Sequence, residues 1–185
     1  MKKTILLAAV AAIAVPSAAQ AQEAEVFVGV SGGYHDLAVD GEVEDAFPGV
    51  EINDGSLIFG GFAGVDAPLG EQLFIGAEAN FHLGTDAVDS EYGASARFGI
   101  RDAGGAKYYV RGGYQEVNLD FVNIIEIPGT TLTDDDFDGI DDTAGDWLVG
   151  AGAEFPIGES TFLRVNLDTI GFDSARATAG FGLRF

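Results

Sequence analysis

The sequence predicts an all-β protein, a transmembrane up-and-down antiparallel β-barrel of about eight strands. Three observations predict it. From Glu25 onward apolar and polar residues alternate with period two. The connections between these runs are alternately short and longer, as in barrels with short turns on one side of the membrane. Every Lys and Arg after residue 21 falls on the polar face of a run.

The N-terminus is read apart from the barrel. Lys2 and Lys3 precede an apolar run from Ile5 to Val15, and Ala19-Gln20-Ala21 has the small-x-small form of a cleavage site. The expectation is a signal peptide over residues 1–21 and a barrel domain over residues 22–185. The run is too short for a membrane-spanning helix, and no second apolar run of helical spanning length follows it. A membrane form of this chain would therefore cross as strands.

The strands follow in order. Val26, Val28, Val30 and Tyr34 oppose Gly29, Ser31, Gly33 and His35. Ser56–Asp66 is strand-like but apolar on both faces, which leaves its register open. Leu73, Ile75, Ala77, Ala79 and Phe81 oppose Gly76, Glu78, Asn80 and His82. Tyr92, Ala94, Ala96, Phe98 and Ile100 oppose Gly93, Ser95, Arg97, Gly99 and Arg101. Tyr108, Val110, Gly112 and Tyr114 oppose Lys107, Tyr109, Arg111, Gly113 and Gln115. Trp147, Val149, Ala151, Ala153 and Phe155 oppose Asp146, Gly150, Gly152 and Glu154. Leu163, Val165 and Leu167 oppose Arg164, Asn166 and Asp168, and the series ends with Ala175 to Phe185. Ala67–Gln72, Asp102–Ala106 and Pro156–Ser160 read as short turns. Leu37–Gly55 and Leu119–Gly145 read as long acidic loops, with Gly84–Glu91 and Ile170–Ser174 shorter.

Charge decides which face is inside. All 30 acidic residues follow residue 21, whereas two of the nine basic ones precede it, so the exported chain sets seven cations against 30 acids. That balance excludes nucleic acid as a partner. The seven are Arg97, Arg101, Lys107, Arg111, Arg164, Arg176 and Arg184. Glu78, Glu154 and Asp168 share their face. The expected lumen network comprises Glu78, Arg97, Arg101, Arg111, Glu154, Arg164, Asp168 and Arg176. Arg–carboxylate pairs suit a site where water is scarce and fork geometry counts. An eight-stranded barrel is narrow enough for such side chains to fill, so no diffusion pore is expected. Tyr34, Phe81, Tyr92, Tyr114 and Trp147 fall at the outer strand ends, and Phe98, Tyr108, Phe155 and Phe185 at the inner ends. Two aromatic bands of this kind mark the two interfaces of a membrane.

The opening strand with Gly32-Gly33, the alternating runs and the terminal Arg184-Phe185 resemble the small outer-membrane barrels of OmpX, opacity-protein and OmpA-barrel type. The resemblance spans the whole exported chain and is architectural. It implies an outer-membrane location and contact with outer-membrane lipids. It implies that Phe181, Leu183 and Phe185 form the signal read by the barrel-assembly machinery. It also implies roles from structural barrel to adhesin, with host or environmental surface ligands as partners. The barrel is expected to be monomeric.

Two other readings stay open. A soluble periplasmic ligand-binding barrel would line a cavity with the apolar face. A lipid-modifying barrel enzyme would need His beside Ser and an acid on the bilayer face. The two histidines, His35 and His82, fall on the polar face near the outer rim, so no enzyme is expected. With no cysteine, thiolate chemistry is excluded. No cofactor is expected apart from weak calcium. Asp134, Asp136, Asp138 and Gly139 match the first half of a calcium loop, but the twelfth position is Gly145 rather than Glu. A solvated acidic loop is the alternative.

Overall fold

The structure, a computed structural model, describes residues 24–38, 51–52, 54–126, 132–133, 139 and 142–185. The elements in order are β1 (Glu25–Asp36), β2 (Glu51–Ile52), β3 (Gly55–Leu69), β4 (Leu73–Gly84), β5 (Val88–Arg101) and β6 (Lys107–Leu119). They continue with a single helical turn α1 (Phe121–Ile124), β7 (Ile125–Glu126), β8 (Thr143–Pro156), β9 (Thr161–Ile170) and β10 (Ala175–Arg184).

Eight of these strands close a barrel in the order β1-β10-β9-β8-β6-β5-β4-β3, and every neighbouring pair is antiparallel. Closure sets the last strand beside the first, with Val30 opposite Phe181 and Val28 opposite Leu183. No barrel strand is left with an unpaired edge, which is the condition for strands in a hydrocarbon phase. The small pair β2–β7 stands outside the barrel and ties the loop before β3 to the loop after α1, with Ile52 opposite Ile125.

The period-two pattern sorts the faces. Val30, Phe59, Phe81, Val110, Val149, Val165 and Phe181 are exposed on the outer wall. The charged and amide residues between them are buried inside. This arrangement overturns the soluble-barrel alternative, which needed the apolar face inside. The register of β3, open from sequence, has Ser56, Ile58, Phe62 and Asp66 pointing inward and Leu57, Phe59 and Val65 outward.

Two apolar layers cross the lumen. Toward the end where β1 begins and β10 ends, here the terminal end, Phe27, Phe62 and Phe162 pack with ring centroids 6.2 to 6.4 Å apart. Glycine makes room for them: a Cβ on Gly29 would sit 2.3 Å from Phe62 Cζ, and one on Gly182 2.2 Å from Phe162 Cζ. Toward the far end, Ile58, Val88 and Val117 form the second layer, backed by Leu37 and Leu119. The strands run further than the sequence pattern suggested. Val88–Glu91 belongs to β5, and Thr143–Gly145 to β8. The cause is continued ladder pairing, Glu91 with Val117 and Glu116 with Gly145.

Candidate functional site

A lattice of ion pairs runs through the lumen and continues past the phenylalanine layer to the mouth at the terminal end. β3, β4, β5, β6, β8, β9 and β10 each aim one or two buried charged side chains inward at alternate positions. Glu78 on β4 accepts from Arg97 at 2.9 Å, Arg111 at 2.8 Å and Arg164 at 2.6 Å. Glu154 on β8 accepts from Arg97 at 2.7 Å and Arg164 at 2.6 Å. Asp168 on β9 takes Arg111 in a two-bond fork, Nε to Oδ1 at 2.7 Å and Nη2 to Oδ2 at 2.6 Å. Arg176 then links Asp168, at 3.1 Å, to Glu91, at 2.5 Å. Lys107 reaches Asp66 at 2.6 Å and also contacts Glu25.

Among the described residues the buried charges balance. Arg97, Lys107, Arg111, Arg164 and Arg176 stand against Asp66, Glu78, Glu91, Glu154 and Asp168. A buried ion survives only when paired and hydrogen-bonded. Rings supplement the carboxylates: Arg164 lies 3.9 Å from the Phe62 centroid, and Arg97 4.1 Å from that of Tyr109. Guanidinium planes stack on aromatic faces in this way, an option an ammonium uses less well.

Of the expected network, the structure brings together Glu78, Arg97, Arg111, Glu154, Arg164, Asp168 and Arg176. Arg101 does not join it. As the last residue of β5 it stands at the mouth of the barrel, with its side chain 40% exposed, and bonds Glu25 at 3.2 Å. It lines a cleft of about 220 Å³ there with Glu25, Asp66 and Glu71. Sequence reasoning missed Glu91, which it assigned to a loop. The inward parity of Gly93, Ser95 and Arg97, carried one step back, reaches Glu91. It also missed Asp66, on the strand whose register was open, and Glu25, one residue before the first run.

His35 and His82 lie near the far ends of β1 and β4, buried on the lumen face as their parity predicts, and share Glu91, at 2.7 and 3.1 Å. Ser31 Oγ lies 2.8 Å from His82 Nε2. The order Ser31, His82, Glu91 is that of nucleophile, base and acid. All three side chains, however, face the lumen rather than the bilayer.

Phe181, Leu183 and Phe185 project from the outer wall, and Phe185 N donates to Val26 O at 2.9 Å. The aromatic bands are on the same wall. Tyr34, Phe81, Tyr114 and Trp147 are exposed at the far end, and Phe98, Tyr108, Phe155 and Phe185 at the terminal end. Tyr92 is half-buried there, and its hydroxyl donates to Glu116. Asp134, Asp136 and Asp138 lie outside the described residues, as do the signal segment 1–21 and its cleavage point.

No curated protein matches the chain by sequence. Solved structures do resemble it. Ail, the attachment invasion locus protein of Yersinia pestis, aligns over 88% of this chain and 97% of its own, at 11% identity and a TM-score of 0.52. The N-terminal β-barrel domain of Pseudomonas aeruginosa OprF aligns over 90% of this chain and 100% of its own, at 15% identity and a TM-score of 0.50. Ail in complex with the heparin analogue sucrose octasulfate aligns over 88% of this chain and 97% of its own, at 12% identity and a TM-score of 0.50. These identities speak to the fold. The family model described as outer membrane protein beta-barrel domain matches residues 5–185, nearly the whole chain, so the protein belongs to that family and to the cell outer membrane.

Proposed function

We propose that the protein is a non-porous outer-membrane barrel with a structural and surface-interaction role, presenting an acidic face to the outside. One observation carries this reading. Among the described residues the lumen holds as many buried cations as acids, knitted together by ion pairs and interleaved with two apolar layers. A wall plugged in this way supports envelope integrity and loop display rather than solute passage. Conductance across a planar bilayer tests it. The purified barrel should leave the membrane electrically silent, and a steady ohmic current from the wild-type chain would overturn the reading.

The outer face favours cationic over anionic partners. The far-end connections 37–54, 85–87, 120–142 and 171–174 contain no Lys or Arg. Ail was crystallised with a sulfated heparin analogue, but polyanion binding rests on Lys and Arg clusters, and these connections offer none. Adhesion here therefore suits a basic surface or a divalent bridge to anionic headgroups. Asp134, Asp136 and Asp138 are the proposed weak calcium ligands. The φ of 94° at Gly139 suits the sharp turn such a loop makes at that position. Calorimetry in detergent should show calcium heat at millimolar ion that Asp136→Ala and Asp138→Ala diminish. Absent heat leaves the solvated-loop alternative.

The Ser31–His82–Glu91 arrangement reads as a hydrogen-bonded brace. Acyl chains outside the wall meet only the opposite face of its strands.

A further inference from the structure

We propose that Phe172 is a membrane anchor: the turn between β9 and β10 holds its ring against the headgroup–acyl boundary of the outer leaflet. The first observation is its backbone. Phe172 has φ 70° and Gly171 φ 68°, so successive residues of the turn Gly171–Ser174 lie in the left-handed region. Gly171 fits this without strain, and a Cβ there would meet Asp173 Oδ1 at 2.7 Å. Nothing in turn chemistry asks for an aromatic ring at the next position. Gly or Asn would adopt that φ more easily, and a bulky residue there is strained.

The second observation is where the ring sits. Phe172 is 74% exposed, more than the other aromatic residues of the barrel wall apart from Phe185 at 77%. Gly171 N donates to Trp147 O at 3.0 Å, and Leu148 pairs with Ile170, so the turn abuts the strand that carries Trp147. Trp147 belongs to the outer aromatic band and meets Tyr114 edge to face, at 6.2 Å and 89°. Phe172 therefore follows directly on the residue that bonds Trp147 of the band. The connection is short, closed by Ser174 N to Ile170 O at 3.3 Å, and cannot carry the ring far from that level. The occupant is thus set by continuity. The patch extends the lipid-facing wall, and aromatic rings favour the interfacial depth at which it lies.

The sequence has a single tryptophan, which makes a depth measurement clean. In the variant Trp147→Phe/Phe172→Trp, refolded into phosphatidylcholine vesicles, the sole indole reports from position 172. Its emission should be blue-shifted and quenched by lipids brominated near the headgroup end of the acyl chains, and shielded from aqueous iodide. Red-shifted emission quenched fully by iodide, with no response to bromolipid, would place the ring in water or against a protein partner and overturn the proposal. Phe172→Asn decides the matter independently of that variant. Asn relieves the backbone strain and removes the ring. A lower urea midpoint in vesicles is expected, because the lost lipid contact outweighs the relief. A higher midpoint means the ring contributed only strain, and the anchor is refuted.

Discussion

Arg111 and Asp168 meet across the β6–β8–β9 wall in a two-bond fork at 2.7 and 2.6 Å, and Arg176 shares the same carboxylate. Asp168 is therefore a joint between two buried cations. Asp168→Ala should cost about 3–5 kcal/mol, because removing one partner strands buried charge. Arg101→Ala, at the half-open mouth, should cost only ~0–1 kcal/mol. Urea titration of both variants in vesicles checks the contrast, and equal losses would contradict it.

Crowding at Gly29 predicts a different failure. A Cβ there would lie 2.3 Å from Phe62 Cζ and 2.5 Å from Phe181 O, a ring and a backbone atom. Gly29→Ala should destabilise the barrel by about 1–3 kcal/mol through overpacking. The gel-shift temperature of the folded form should drop. The paired variant Gly29→Ala/Phe62→Leu should recover part of it. No recovery would place the cost in the backbone contact instead of the ring.

The C-terminal residue predicts an assembly effect. Phe185 is 77% exposed on the outer wall and closes the β1–β10 seam through its backbone. Deleting it should leave synthesis intact and lower the outer-membrane level several-fold, read by fractionation and immunoblotting. Normal membrane levels would separate this residue from assembly.

The lumen-facing Ser31–His82–Glu91 chain predicts a chemical silence. A fluorophosphonate probe should not label Ser31 in the folded barrel, since its partners His82 and Glu91 are buried in the filled lumen. Labelling lost in Ser31→Ala but present in the wild type would revive the lipid-modifying reading.

Much of this protein is legible from its sequence because a strand has period two. Once Leu163, Val165 and Leu167 are seen to alternate with Arg164, Asn166 and Asp168, and other runs do the same, face, strand number and pairing order follow, and a barrel is the one arrangement that leaves no edge. The inward position of Arg97, Arg111, Arg164 and Arg176 needed only parity and the absence of Lys or Arg from the loops. Parity is a local property, and hydrophobic patterning carries it along the chain.

What period two cannot supply is height and azimuth inside a closed cylinder. Which carboxylate meets which guanidinium depends on the stagger of strands far apart in sequence. Glu78 and Arg164 meet at 2.6 Å although they are 86 residues apart. Arg101 has the right parity and the wrong height, so it ends at the mouth. Asp66 sat on a strand apolar on both faces, where no alternation marks a register, and Glu91 lay where ladder pairing outran the pattern. The inward phenylalanines Phe27, Phe62 and Phe162 look like membrane residues in one dimension. Only the closed barrel, with Gly29 and Gly182 opposite them, gives them an interior to fill. Alternation determined the wall of this protein, and the stagger of the closed sheet decided the contents of its lumen, because side-chain packing there is a long-range, three-dimensional constraint.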